Sequence, residues 1–428
     1  MLSLASPAIR TFLRVDGSFS QIVESIISNP QREKGLYLPV RWFVRAVVLI
    51  WWRKYSIYCE EQEEKEGAKK EQDHEHEHEY DRKHPSHHPQ DTNPLTRSLP
   101  DLIKCLMYNP TNPTFQRFST ASPIWEPLPK DIPPVVLYRL LEYSTRVRRL
   151  THGFFHAMIR NCMNANTLEH LSPNDDNGKA ERYYCDGPVV NRSRRPRGRP
   201  YKPCDLGSPS WFEEQRILYA VWRVVVFFVL KDATNNFDGL FSPPWSSVHY
   251  LYPKSTHIAG FWAEQTSSDE IQMEQLRSVL SWMEKEAGGK EKIQSWMFSA
   301  SPSPSVLPDS LGYCCPQYRA VNKRHWVWFN AHPVKMLYSR GYSCIRSCIL
   351  GPTSPLEGAD VFYYRRFGLV FWDSARLNAL GFPGRRVGAA KMWFAWSSVL
   401  NDDQWEAVIK LQRQRYDRER CSMRTIPR

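Results

Sequence analysis

From Ile217 to Leu230 the chain places apolar side chains around nearly the whole circumference of a helix, interrupted only by Arg223. A helix of that kind must be enclosed on all sides, so the rest of the chain has to supply elements that surround it. Its start is marked: Ser210 with Glu213 three residues later forms a capping box, in which hydroxyl and carboxylate each satisfy a backbone N–H that the helix leaves open. A membrane-spanning reading fails on length, since a span needs roughly 20 apolar residues. The other long apolar run, Val40 to Trp52, is likewise short and carries Arg41 and Arg45. Both runs are therefore expected to be core helices and not membrane spans, in keeping with a mean hydropathy of −0.53.

The elements around this helix also show helical spacing. Ile22, Val23, Ile26 and Ile27 predict a helix near the N-terminus, and Pro39 introduces a second, longer one. After Pro133 and Pro134, a stripe of Val136, Leu140, Tyr143, Val147, Leu150, Phe154 and Met158 recurs every three or four residues, with Arg139, Glu142, Arg146 and Arg149 on the opposite side. Ser267 with Glu270, and Asn401 with Gln404, offer further helix starts, the latter with Leu400 and Trp405 placed as a hydrophobic staple. Extended character is confined to Val361 to Val370, too little to build a sheet. The expected fold is mainly α, an irregular multi-helix bundle with long disordered insertions and little or no sheet.

The chain divides into a helical block over 1–60, an acidic and His-rich insertion over 61–97, a helical segment over 98–171, a basic loop over 172–209, a helical core over 210–298, a Ser/Pro-rich linker over 299–320 and a helical region over 321–428. The two insertions lack the aliphatic residues needed to bury a core and are expected to be disordered. The net charge of +12 gives a positive field that attracts polyanions and equally serves solubility. The ten cysteines are scattered, several inside apolar periodic stretches, as expected of reduced thiols. With no apolar centre between Met1 and Val15, where Arg10 and Arg14 sit, the expected location is intracellular, in cytoplasm, nucleus or both.

No segment carries a recognisable catalytic constellation. His74, Glu75, His76, Glu77 and His78 match a zincin pattern literally, but the run lies in a polar tract with no apolar face to hold a helix against a third ligand. Cys314 with Cys315 and Cys344 with Cys348 flank His325 and His332 at spacings that fit no standard zinc finger, and Cys344 and Cys348, one helical turn apart, are expected to share a buried face. No catalytic residue, cofactor or metal site is therefore assigned. The most specific short signal is Arg194-Arg195-Pro196-Arg197-Gly198-Arg199-Pro200-Tyr201-Lys202, which resembles an AT-hook. Prolines hold such a peptide extended, Gly198 lets the backbone approach the minor-groove floor, and Arg197 and Arg199 enter the negative potential of A·T tracts. The resemblance implies phosphate contacts for Arg194, Arg195 and Lys202. A solvated basic loop or a nuclear import signal is the alternative reading of the same run.

Four stretches, Val136 to Thr151, Ser210 to Asp232, Pro244 with Trp245, and Phe367 to Gly381, resemble helix signatures of a group of uncharacterised fungal proteins, some of which carry an F-box. The resemblance implies a shared helical scaffold and no site residues. An F-box would dock a Skp1-type adaptor and would have to lie within Ser18 to Tyr58, a block without the Leu-Pro-x-Glu-x-Leu opening. The expected function is a non-enzymatic scaffold or protein-interaction protein, F-box-like by the resemblance, with a protein partner. AT-rich DNA binding and an enzyme of unfamiliar type are the alternatives.

Overall fold

The computed structural model describes residues 18–28, 36, 38–74, 127–165, 203–236, 257–265, 270–299, 338–349, 354, 356–357, 359–382 and 389–424. Of these, 81% are helical, and none is in a strand. The α-helices are α1 (Ser18–Ser28), α2 (Leu38–His74), α3 (Pro134–Met163), α4 (Trp211–Asn236), α5 (Ile258–Gln265), α6 (Glu270–Ala287), α7 (Ile293–Phe298), α8 (Arg340–Ile349), α9 (Phe362–Arg365), α10 (Ser374–Ala379), α11 (Ala389–Ser398) and α12 (Asp402–Arg424). Single 3-10 turns occupy Lys290–Lys292 and Leu369–Phe371. The protein is all-α in its described part. Two compact units are present, one made of 1–147 and 222–268, the other of 148–221 and 269–428, so each draws on separated stretches of sequence.

In the first unit, α1 buries Phe19, Val23 and Ile27, a strict four-residue stripe, while Ile22 and Ile26 lie on its exposed side. Only half of the isoleucine pattern therefore faces the core. Pro39 sits in the first turn of α2, where its missing N–H breaks no intrahelical bond. The arginines that interrupt the apolar run of α2 are buried, and each is bonded. Arg45 Nε donates to Glu24 Oε2 at 3.3 Å and its Nη2 to Ser28 Oγ at 2.6 Å; Arg41 donates to the carbonyls of Leu36 at 2.7 Å and Ser28 at 3.1 Å. The Leu128 N–H also donates to Glu24 Oε2, at 3.0 Å. One buried carboxylate thus gathers α1, α2 and the approach to α3. Further along, Trp51 packs edge-on against Tyr143 with ring centroids 4.6 Å apart, and the Arg139 guanidinium lies 4.7 Å over Trp51. The second half of α4 meets α5, where Trp262 Nε1 donates to the Arg223 carbonyl at 3.2 Å beneath the Arg223 guanidinium.

α2 runs on to His74, into the stretch that its composition marks as the start of an insertion. Its outer turns leave the core, with Glu60, Glu61, Glu63 and Glu64 exposed. Glu, Gln and Lys are strong helix formers, and Glu61 with Lys65 has the favourable acid-before-base spacing of four. A polar helix can therefore extend from a buried one without a core of its own. The remainder of that insertion, from 75 on, lies outside the described residues, as do most of the basic loop over 172–209 and the Ser/Pro-rich linker.

The second unit is organised around the chain between Phe362 and Phe382. Phe367, Leu369, Val370, Phe371 and Trp372 are all at most 2% exposed. Phe371 meets Phe154 of α3 at 5.1 Å between centroids, and Trp372 meets Phe155 at 5.5 Å. The extended character expected over Val361 to Val370 is not realised: α9 and a 3-10 turn replace it, with Gly368 at φ 62 between them. A sheet would have satisfied the buried carbonyls here, but side chains from two helices and from the residue before α8 do so instead. Ser339 Oγ and Gln275 Nε2 donate to Val370 O at 2.5 and 3.4 Å, and Arg216 Nη1 donates to Phe371 O at 2.9 Å. A Cβ on Gly341 would come within 1.7 Å of Leu369 O, so α8 reaches this turn only because that residue is glycine.

Candidate functional site

The start of α4 holds the densest polar arrangement in the second unit. The capping box forms as the sequence predicts: Ser210 N donates to Glu213 Oε2 at 2.9 Å, and Glu213 N to Ser210 Oγ at 3.2 Å. The same carboxylate then serves a distant segment. Arg376 Nε donates to Glu213 Oε2 at 2.9 Å, and the Asp373 N–H donates to Glu213 Oε1 at 3.0 Å. Asp373 in turn accepts from Ser210 Oγ and from Arg216 Nη1, both at 2.7 Å. The remaining arms of Arg376 donate to the carbonyls of Gly207 at 3.2 Å and Ser208 at 2.7 Å, and its guanidinium lies 4.9 Å over Phe155.

Glu213 is 1% exposed and Arg376 4%. Burial raises the Glu213 carboxyl above its ordinary range, while Arg376 pulls it back. Every oxygen of this carboxylate is occupied, so the cluster fastens chain and offers no open base. A second buried pair has the same form: Arg365 donates twice to Glu274, at 2.5 and 2.9 Å, a fork that matches the carboxylate. Burial raises the Glu274 carboxyl, against the pull of Arg365. A histidine and a carboxylate also meet in this unit, His152 Nε2 and Glu214 Oε1 lying 3.4 Å apart. That pair lines neither of the cavities described next.

Two adjoining cavities open in the second unit, of about 510 and 230 Å³. They share one wall, formed by Asn161 near the end of α3, Lys285 near the end of α6, and Arg366. The larger continues to Asn164 and to the turn from Ser398 to Asp402; the smaller continues to Arg160, Trp282 and Glu286. Arg366 is pinned in place, donating from Nη2 to the Val399 carbonyl at 2.9 Å and lying 4.6 Å over the Phe367 ring. Its carbonyl accepts from Asn161 Nδ2 at 2.7 Å.

The AT-hook-like residues Arg194, Arg195, Arg197, Gly198, Arg199 and Lys202 lie outside the described residues, as do Glu75 to His78, Cys314, Cys315, His325, His332 and Ser267. Cys344 and Cys348 do share the buried face of α8. Among the described residues, no group of three or more His, Cys, Asp and Glu side chains is placed to hold a metal ion, and no helix is long and apolar enough to cross a membrane. The reciprocal cap of α12 is present, with Asn401 N donating to Gln404 Oε1 at 3.0 Å and Gln404 N to Asn401 Oδ1 at 2.8 Å. Sequence reasoning did not anticipate the bonds between the start of α4 and Asp373 and Arg376, or the cavities. Its one signal for the former was that Ser210 to Asp232 and Phe367 to Gly381 carry charged residues inside aromatic helix signatures, and these two stretches are the ones bonded to each other. In comparison with known proteins, no family model matches the chain, and no curated protein and no solved structure matches it either.

Proposed function

We propose that the chain is a helical scaffold that acts by holding a protein partner and performs no chemistry of its own. One observation carries this reading: the buried carboxylates Glu213 and Glu274, and the half-buried Asp373, each hold an arginine from another segment, and so serve to fasten helices. Residues that do acid–base work need a free oxygen or nitrogen within reach of a reacting atom. The basic excess of +12 favours an acidic partner and fast, salt-sensitive association. An F-box-like adaptor role is the narrower form of this proposal and rests on the resemblance alone. Affinity capture of the full chain, followed by reconstitution with the recovered protein, tests it. A stoichiometric complex weakened by salt is expected; a chain that retains no protein and turns over a metabolite contradicts the reading.

A second function is carried by the run Arg197, Gly198 and Arg199 between Pro196 and Pro200: minor-groove binding to AT-rich DNA. It predicts preference for A·T over G·C duplexes in a mobility-shift assay, loss on Arg197→Ala with Arg199→Ala, and affinity that falls steeply with salt. Equal binding to both duplexes removes it.

A further inference from the structure

The wall shared by the two cavities carries two cations, Lys285 and Arg366, and no acid. Three other arginines of this unit, Arg216, Arg376 and the Arg365 that lines the smaller cavity, each meet a carboxylate within 3 Å. Among the described residues neither Lys285 nor Arg366 forms an ion pair, and the Arg366 guanidinium makes a single hydrogen bond, through Nη2 to Val399 O. Placing two like charges on one concave wall is unfavourable unless an anion joins them. The Arg366 guanidinium is also held in orientation by that bond and by the Phe367 ring, which lowers the cost of ordering a ligand on its remaining N–H groups. Its planar fork fits two oxygens of a phosphate or carboxylate, while an ammonium such as that of Lys285 adds a point charge. The acids of the cleft are one per cavity, Asp402 in the larger and Glu286 in the smaller, each off the shared wall.

We propose that this cleft binds a small oxyanion-bearing molecule, its phosphate or carboxylate seated between Lys285 and Arg366 and its polar remainder lying toward Asn164 and Asp402. The larger cavity, about 510 Å³, is within the usual range for small-molecule sites. Hydroxyl or amino groups on the ligand suit Asp402, which repels a second anionic group at that end. This assignment is independent of the partner-holding role proposed above and of the basic run over 194–202.

Equilibrium dialysis of the full chain against inorganic pyrophosphate, and separately against citrate, at constant ionic strength tests it. One saturable site per chain is expected, weakened roughly tenfold or more by Lys285→Gln, the loss of one charge-assisted contact. Lys285 is exposed, so this variant retains the fold. Arg366→Lys keeps the charge and loses the fork, and an intermediate weakening is expected. Ligand should also slow amine acylation at Lys285 more than at Lys410, which is exposed on α12 and outside the cleft. Tighter pyrophosphate binding identifies the ligand as a phosphate compound, and tighter citrate binding as a carboxylate. Binding unchanged by Lys285→Gln, no saturable site for either anion, or equal slowing at Lys285 and Lys410 overturns the proposal.

Discussion

The two units bury charge in different proportions. In the second, buried Glu213 and half-buried Asp373 face Arg216 and Arg376, two acids for two bases, and the bonds join residues up to 163 positions apart. In the first, Glu24 alone faces Arg45 and Arg41, and one nitrogen of Arg41, Nη2, is buried without a hydrogen-bond partner. Burial lowers the Arg41 pKa, and Arg45 beside it lowers it further, against the pull of Glu24. A balanced cluster loses much when one member is removed, because the partner is left as an uncompensated buried charge; an unbalanced one contains a charge whose removal costs less.

The largest effect is therefore expected at Arg376. Replacement by Met should cost about 3–5 kcal/mol in denaturant unfolding, because it strands Glu213 and frees the carbonyls of Gly207 and Ser208. Gly341→Ala should approach that loss, since the added methyl collides with the backbone of Leu369 and not with a side chain that can turn away. In the first unit, Arg45→Met should cost about 3 kcal/mol, as Glu24 still accepts from the Leu128 N–H. Arg41→Met should cost clearly less than Arg45→Met. If the two arginines prove equal, the imbalance has no energetic meaning and the comparison fails.

A smaller effect concerns protons. Burial lowers the His156 pKa from its ordinary 6.5, with His152 and Arg160 lowering it further and Asp205 opposing. A histidine depressed in the folded state takes up its proton more readily when unfolded, so its contribution is present above pH 6.5 and is lost as pH falls below that value. Urea midpoints measured downward from neutrality should decline more for the wild type than for His156→Gln. Parallel pH profiles would exclude this coupling.

Local signals carried the fold. Ser210 with Glu213 and Asn401 with Gln404 were legible because a cap is settled within three residues, by bonds that depend on little else. The stripe on α3 was legible because Val136, Leu140, Val147, Leu150, Phe154 and Met158 are buried in helical register, with Arg139, Glu142 and Arg149 exposed. The extension of α2 was hidden because the same Glu and Lys residues that exclude a core also favour an isolated helix. The turns around Gly368 read as extended because β-branched and aromatic residues cluster there for burial, and only the side chains of Gln275, Ser339 and Arg216 reveal why no sheet is needed. The cleft was not legible at all, since Asn161, Lys285, Arg366 and Asn401 meet only after four separate helices have been placed.

A double-mutant cycle across Glu213 and Arg376 tests most directly whether buried carboxylate–arginine bonds fasten the second unit. Glu213→Gln, Arg376→Met and the pair are compared by urea unfolding. A coupling of about 2 kcal/mol or more is predicted, the double variant being little worse than either single one. Additive losses would mean that the two side chains stand side by side without holding the segments together, and would contradict the account.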